Sequence, residues 1–204
     1  MVNLVTNRAM KVIKKIIVFI LVFSTCSCSL TKLERKITND LINEKLHDKY
    51  YGSYLNKQTL LIKEAGNGLG ALLAYEQIFN DTTQINYKYQ YWPLNKIQIQ
   101  EQKKRKLKNH LWQKSDIDVY DFTIVDSKKN RENYRSKYYL NLPNDIYVLS
   151  ISKPLIINKN EALMDYCVIN KFGYSYDRGV ILMKKTENNS WKIKSIYYDE
   201  NSSW

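Results

Sequence analysis

Between residues 30 and 48 the apolar positions Leu33, Ile37, Leu41, Ile42 and Leu46 recur about one helical turn apart, with charged residues between them. That spacing predicts an amphipathic helix over Leu30 to Asp48, with one face to bury against a sheet. Tyr50, Tyr51 and Gly52 end it, and Thr59 to Ile62 reads as a short strand or apolar turn. A second helical pattern runs from Leu69 to Phe79, with Leu72, Leu73, Tyr75, Ile78 and Phe79 on a broad face. Residues 85 to 92 set Tyr87, Tyr89 and Tyr91 against Lys88, Gln90 and Trp92, the period of a strand. Glu101 to Gln113 predicts a third helix, with Leu107 and Leu111 one turn apart.

From Val119 onward β-branched and aromatic residues come in short runs. Strands are expected near 119 to 126, 146 to 157, 161 to 171, 174 to 185 and 191 to 198, joined by tight connections such as Asn158-Lys159-Asn160 and Glu187-Asn188-Asn189-Ser190. Links this short pair consecutive strands antiparallel, so the last four should form a meander. Pro154 cannot donate to a ladder, which places its strand at an edge or a bulge. Helices first and strands afterwards predict an α+β fold, N-terminal helices packed on a C-terminal antiparallel β-meander. At 204 residues the chain suits one folded domain.

The start of the chain is an address. Lys11, Lys14 and Lys15 precede the apolar run Ile16 to Phe23, which is far short of the roughly twenty residues a bilayer span needs, and small residues follow. This predicts an export signal over residues 1–27 and a mature single domain over 28–204. Thr25-Cys26-Ser27-Cys28 resembles the lipobox of bacterial lipoproteins. The resemblance implies acylation of Cys28, with Cys26 as the alternative acceptor, and hence a domain held in a bacterial cell envelope, facing the periplasm. Thr25 and Cys26 depart from the leucine and small residue usual there. Cys167 would be the only other cysteine, so no internal disulfide is expected; it reads as a small buried strand residue.

The last third is similar to uncharacterised bacterial lipoproteins and secreted proteins. The likeness rests on Ile151-Ser152-Lys153-Pro154-Leu155-Ile156, Asn160-Glu161-Ala162, Gly173 and Gly179, Leu182-Met183-Lys184-Lys185 and Ser190-Trp191-Lys192-Ile193. It implies a compact curved-sheet domain, similar to nuclear-transport-factor-like folds, and carries no catalytic residues with it.

Charge changes the picture locally. The full chain is +12, and the mature chain, without Arg8, Lys11, Lys14 and Lys15, is +8. Residues 86 to 115 hold Lys88, Lys96, Lys103, Lys104, Arg105, Lys106, Lys108 and Lys114 against Glu101 alone, so +7 of that excess sits in one stretch. Tyr87, Tyr89, Tyr91, Trp92 and Trp112 share it. Aromatic faces beside cations suit an anionic partner, so Tyr87, Tyr89, Tyr91, Trp92, Lys103, Lys104, Arg105, Lys106 and Lys108 form the candidate binding surface. The plainer alternative is that the tyrosines cover the core and the lysines coat a solvated helix.

Other candidate chemistry is thin. Gly66-x-Gly68-x-x-Ala71 matches a dinucleotide fingerprint, but no acid-ended strand follows and βαβ alternation is lacking, so it reads as a turn that starts a helix. His47 and His110 are the only histidines and sit in no metal-ligand spacing, so neither metal nor cofactor is expected. A Cys167 nucleophile served by His110 has no local signature. Asp116, Asp118, Asp121 and Asp126 read as solvated strand-edge carboxylates.

These readings converge on a lipid-anchored, non-enzymatic envelope domain that binds an acidic protein or envelope polymer, without a nucleic-acid partner. A small envelope hydrolase and an immunity-type inhibitor of an acidic partner stand as alternatives.

Overall fold

The computed structural model describes residues 31–47, 59–81, 91–126, 146–170 and 175–197. The chain folds as α+β. Helix α1 (Lys32–His47) leads into strands β1 (Leu60–Ile62) and β2 (Glu64–Ala65), then helices α2 (Leu69–Asn80) and α3 (Lys96–Lys103), strand β3 (His110–Leu111) and a short 3-10 turn, Lys114–Asp116. Strands β4 (Thr123–Val125), β5 (Tyr147–Ile151), β6 (Leu155–Asn158), β7 (Glu161–Asn170), β8 (Ser175–Lys185) and β9 (Trp191–Tyr197) follow. The main sheet runs β4-β1-β5-β7-β8-β9, with β6 paired to β7, and β2 and β3 form a separate ribbon.

The antiparallel meander is present from β5 and β6 through β9. At its other side β1 joins β5 and β4 in parallel, a mixed edge that the short-link argument did not reach because these strands are far apart in sequence. The strand expected over 146 to 157 is broken at Pro154. There the Ser152 N–H bonds Asp165 O and the Lys153 N–H turns to Gly66 O, each at 2.8 Å, and β6 resumes with β7 as its partner.

Register fixes the faces, since directly paired residues share one. Leu163 with Leu182, and Val180 with Tyr197, form the face that buries Ala71, Leu72, Tyr75 and Ile78 of α2 and Ile99 of α3. Met164 and Tyr166 alternate to the other face, where Lys45 of α1 donates to the Tyr166 hydroxyl at 3.0 Å. The first core is aromatic: Trp92 stacks on Tyr197 at 5.0 Å, and Tyr75 meets both edge-on. The Tyr75 hydroxyl donates to Leu94 O and accepts from Leu94 N–H. Burial pushes its pKa up to about 12, so it stays a neutral donor.

Helix α1 begins at a capping box in which Thr31 N–H donates to Glu34 Oε2 and Glu34 N–H donates to Thr31 Oγ1. Ile37, Leu41 and Ile42 are buried as the pattern requires, but Leu33 is exposed, because the Glu34–Lys153 pair occupies the inward side of that first turn. One turn apart on α1, Asp40 Oδ2 accepts the Trp191 N–H at 2.8 Å and Glu44 Oε2 accepts the Ile193 N–H at 2.6 Å. Two carboxylates thereby satisfy backbone donors on the outer side of β9, as a further strand would.

The third helix differs from expectation. It starts at Asn95, whose side chain and that of Gln98 form a capping box, and ends at Lys103. Residues 110 and 111 are extended instead, paired with Ala65 and Glu64, so Leu107 packs on the core while Leu111 is exposed. Backbone pairing outweighed a helical spacing supported by only two leucines. Residues 85–90 of the expected tyrosine strand lie outside the described residues, and Tyr91 and Trp92 belong to an irregular segment leading into α3.

Candidate functional site

The basic aromatic segment divides on inspection. Tyr87 and Tyr89 lie outside the described residues. Trp92 is part of the core's aromatic cluster, and Lys103 pairs with Glu76 of α2. Tyr91 is 45% exposed; its hydroxyl donates to Glu161 Oε1 at 2.8 Å, and the Lys184 ammonium lies 6.0 Å from its ring. The bond to Glu161 raises the Tyr91 pKa. Arg105 reaches across to Ile156 O at 2.8 Å and to the Gln102 side chain. Tyr91 and Arg105 therefore flank the β6–β7 hairpin, since Ile156 pairs with Ala162 beside Glu161. Lys104, Lys106 and Lys108 follow the helix end, all exposed and without an acidic partner among the described residues.

Several acids, by contrast, are engaged within the fold. Glu34 binds Lys153, Asp40 and Glu44 hold β9, Glu76 takes Lys103, and Glu161 accepts from Tyr91 and Asn158. Burial alone would raise the Glu34 carboxyl, but the Thr31 and Lys153 donors outweigh it and hold the pKa below its ordinary value. These carboxylates keep their charge, and Glu34, Asp40, Glu44 and Glu76 each pair with a lysine, Lys153, Lys36, Lys192 and Lys103.

A buried polar knot lies on the far side of α1. Asp116 Oδ2 meets His110 Nε2 at 2.8 Å and accepts the Gln113 N–H at 3.0 Å, while Arg35 approaches Oδ1 at 3.5 Å. Asn39 donates to Asp116 O and accepts from the Asp118 and Val119 N–H groups. Trp112 stands edge-on to His110 and donates its indole N–H to Ile151 O. Asp116 is thus buried, not a solvated strand-edge acid, because it closes the 3-10 turn beneath α1; Asp118 and Asp121 are exposed as expected. His110 is committed to this knot, whereas Cys167 stands across from Ser150 and Arg178 on the main sheet.

That second location was not legible as a site. Ser150, Cys167 and Arg178 are consecutive partners across β5, β7 and β8, so their side chains share one face, with Asp165 two residues along the same strand. Cys167 is half-buried. Asp165 keeps access to water, yet surrounding protein removes enough hydration to push its carboxyl up to about 6, against the opposing pull of Arg178 and the Tyr166 N–H. The carboxyl points toward Gly70 of α2.

The glycines of the fingerprint-like run have another reason. Gly68 has φ +80°, and a Cβ there would lie 3.1 Å from Leu155 Cβ and 3.2 Å from Lys153 O. Close approach of α2's first turn to the break at Pro154 requires glycine, and Asn67 Oδ1 accepts the Leu69 N–H in that turn. Among the described residues no group of three or more His, Cys, Asp or Glu could hold a metal ion, and no helix is long and apolar enough to cross a membrane. No protein-family model, curated protein or solved structure matches the chain.

Proposed function

We propose that the protein is a lipid-anchored, non-enzymatic binding domain of the bacterial cell envelope, whose basic surface around Tyr91 and Lys104–Lys108 takes an anionic partner. The observation that supports the binding half is the contrast in charge engagement: Lys104, Lys106 and Lys108 are exposed and unpaired among the described residues while Glu34, Asp40, Glu44, Glu76 and Glu161 are held in internal bonds. The anchoring half rests on the lipobox-like Thr25-Cys26-Ser27-Cys28. Its test is the intact mass of the membrane-extracted protein, wild type beside Cys28→Ala and Cys26→Ala. A diacylglyceryl-sized increment lost in one variant identifies the acceptor; an unmodified mass in the soluble fraction rules the anchor out. Partner binding is tested by pull-down from envelope extract with wild type and a Lys104→Glu, Lys106→Glu, Lys108→Glu variant, which should lose it.

A small envelope hydrolase is the second reading, supported by Asp165. A carboxyl with a pKa near 6, close to Arg178 and Cys167, is poised for proton transfer near neutral pH. Turnover of ester or amide substrates that Asp165→Asn abolishes would favour it. An immunity-type inhibitor would use the same basic surface and would co-purify with one stoichiometric acidic protein.

A further inference from the structure

Three exposed side chains follow one another across β6, β7 and β8. Arg105 reaches β6, where its Nη1 donates to Ile156 O at 2.8 Å and to Gln102 Oε1 at 2.6 Å. Tyr91 stands at β7, tied through its hydroxyl to Glu161. Lys184 of β8 is the register partner of Glu161, and its ammonium lies 6.0 Å from the Tyr91 ring centre. Ile156 pairs with Ala162, the neighbour of Glu161, so the three contacts sit at nearly one level of the sheet. Neighbouring strands are about 4.8 Å apart, which makes the row on the order of 10 Å long.

Two of the three are held in place without being used up. Arg105 spends Nη1 on its anchor, and its Nε and Nη2 make no bond among the described residues. They form the edge of a guanidinium that takes a carboxylate bidentately. The Tyr91 ring is 45% exposed although its hydroxyl is tied down, so its face is presented at little further cost in entropy. The exposed neighbours Asn158, Lys159, Asn160 and Lys184 are polar, whereas a protein interface centres on apolar residues. One aromatic ring among amides and cations suits a ligand rich in hydroxyls, since the C–H face of a sugar lies against the electron-rich face of tyrosine. Glu161 beneath the row keeps its charge, but its oxygens are taken by Tyr91 and Asn158, and Arg105, Lys159 and Lys184 outnumber it. Exposed Glu101 and Glu187 lie on α3 and on the β8–β9 turn.

We infer that the anionic partner is a polysaccharide of carboxylated sugars, one ring of which stacks on Tyr91 while carboxylates of that sugar and its neighbour bind Arg105 and Lys184. This deepens the proposed function by naming the partner's chemistry, and it rests on the reading of the basic surface as the binding site. Lys104, Lys106 and Lys108, exposed beside Arg105, add attraction along the polymer.

The test uses the full chain, expressed in a bacterium and titrated calorimetrically with oligogalacturonate, with its methyl ester and with polyphosphate of matched charge. The wild type should bind oligogalacturonate, and the ester and polyphosphate several-fold more weakly. Tyr91→Ala and Arg105→Gln should each weaken oligogalacturonate binding about tenfold. Tyr91→Ala should leave polyphosphate binding as it was. Both side chains are exposed, so urea midpoints should match the wild type; if a variant unfolds, the three ligands on the wild type still decide. Polyphosphate or the methyl ester bound as tightly as oligogalacturonate, or a folded Tyr91→Ala without effect, overturns the assignment and leaves a general anion surface. No glycan binding, with a pull-down that depends on Lys104, Lys106 and Lys108 and recovers an acidic protein, overturns it in favour of that protein. Neither glycan binding nor a lysine-dependent pull-down overturns the proposed binding function as well.

Discussion

The buried knot around Asp116 and the cationic turn after α3 are both rich in the residue types from which sites are built, yet they end in opposite states. In the knot Asp116 is met by His110, Gln113 and Arg35, and Asn39 holds the backbone on either side. In the turn Lys104, Lys106 and Lys108 face water with no acid to meet them among the described residues. A histidine–aspartate pair at 2.8 Å would attract attention in any search for catalysis. Its atoms are already engaged in tying α1 to the loop beneath it. The plain lysines, by contrast, retain their capacity to bind something else.

The comparison predicts its own sharpest break. Asp116→Ala leaves His110, the Gln113 N–H and Arg35 facing a buried gap, and should destabilise the fold by about 3 kcal/mol in urea unfolding. A loss well under 1 kcal/mol would mean the knot is not structural and would reopen it as a site. Gly68→Ala comes next: positive φ and close approach to Leu155 and Lys153 O together should cost about 1–2 kcal/mol by the same assay.

Asp165→Asn should act more weakly and with pH. Because the folded carboxyl is raised to about 6 from 3.8, the folded state binds more protons than the unfolded one between those values. The wild type should therefore lose stability as pH rises from about 4 to 6, and the variant should flatten that slope. Water at the carboxyl limits the difference to about 1 kcal/mol or less, measurable by unfolding at either end of the window. Smallest of all, reversing Lys104, Lys106 and Lys108 to glutamate should leave stability within about 0.5 kcal/mol in urea unfolding while abolishing the pull-down of the proposed anionic partner. A large stability loss there would erase the distinction between the two regions.

Periodicity carried most of the architecture. The α1 and α2 patterns each rest on four or more apolar positions, and the helices start and stop within two residues of their predicted bounds. Strands β7 to β9 were legible because their links are short and their β-branched runs long. Helix α3 was misplaced because its single buried residue, Ile99, gives almost no period, and the decisive signals were the Asn95 and Gln98 caps. The parallel β4-β1-β5 side was not legible, since pairings separated by more than sixty residues leave no local trace.

The candidate surface was legible as a charge count but not as a map. Sequence placed Trp92 and Lys103 with Tyr91 and Lys104, and only packing separates the pair held by the core and Glu76 from the pair left outside. The row of Ser150, Cys167 and Arg178 depends on register across three strands, which no spacing within one strand encodes.

The grip of Asp40 and Glu44 on β9 also bears on how this protein can be handled and how it fails. A terminal strand with open backbone donors is a template on which other copies can polymerise. Here the stopper is the first described helix, so trimming the N-terminus into it would remove the stopper. Preparations cut inside α1 should then gel or form fibrils while the rest of the sheet stays intact.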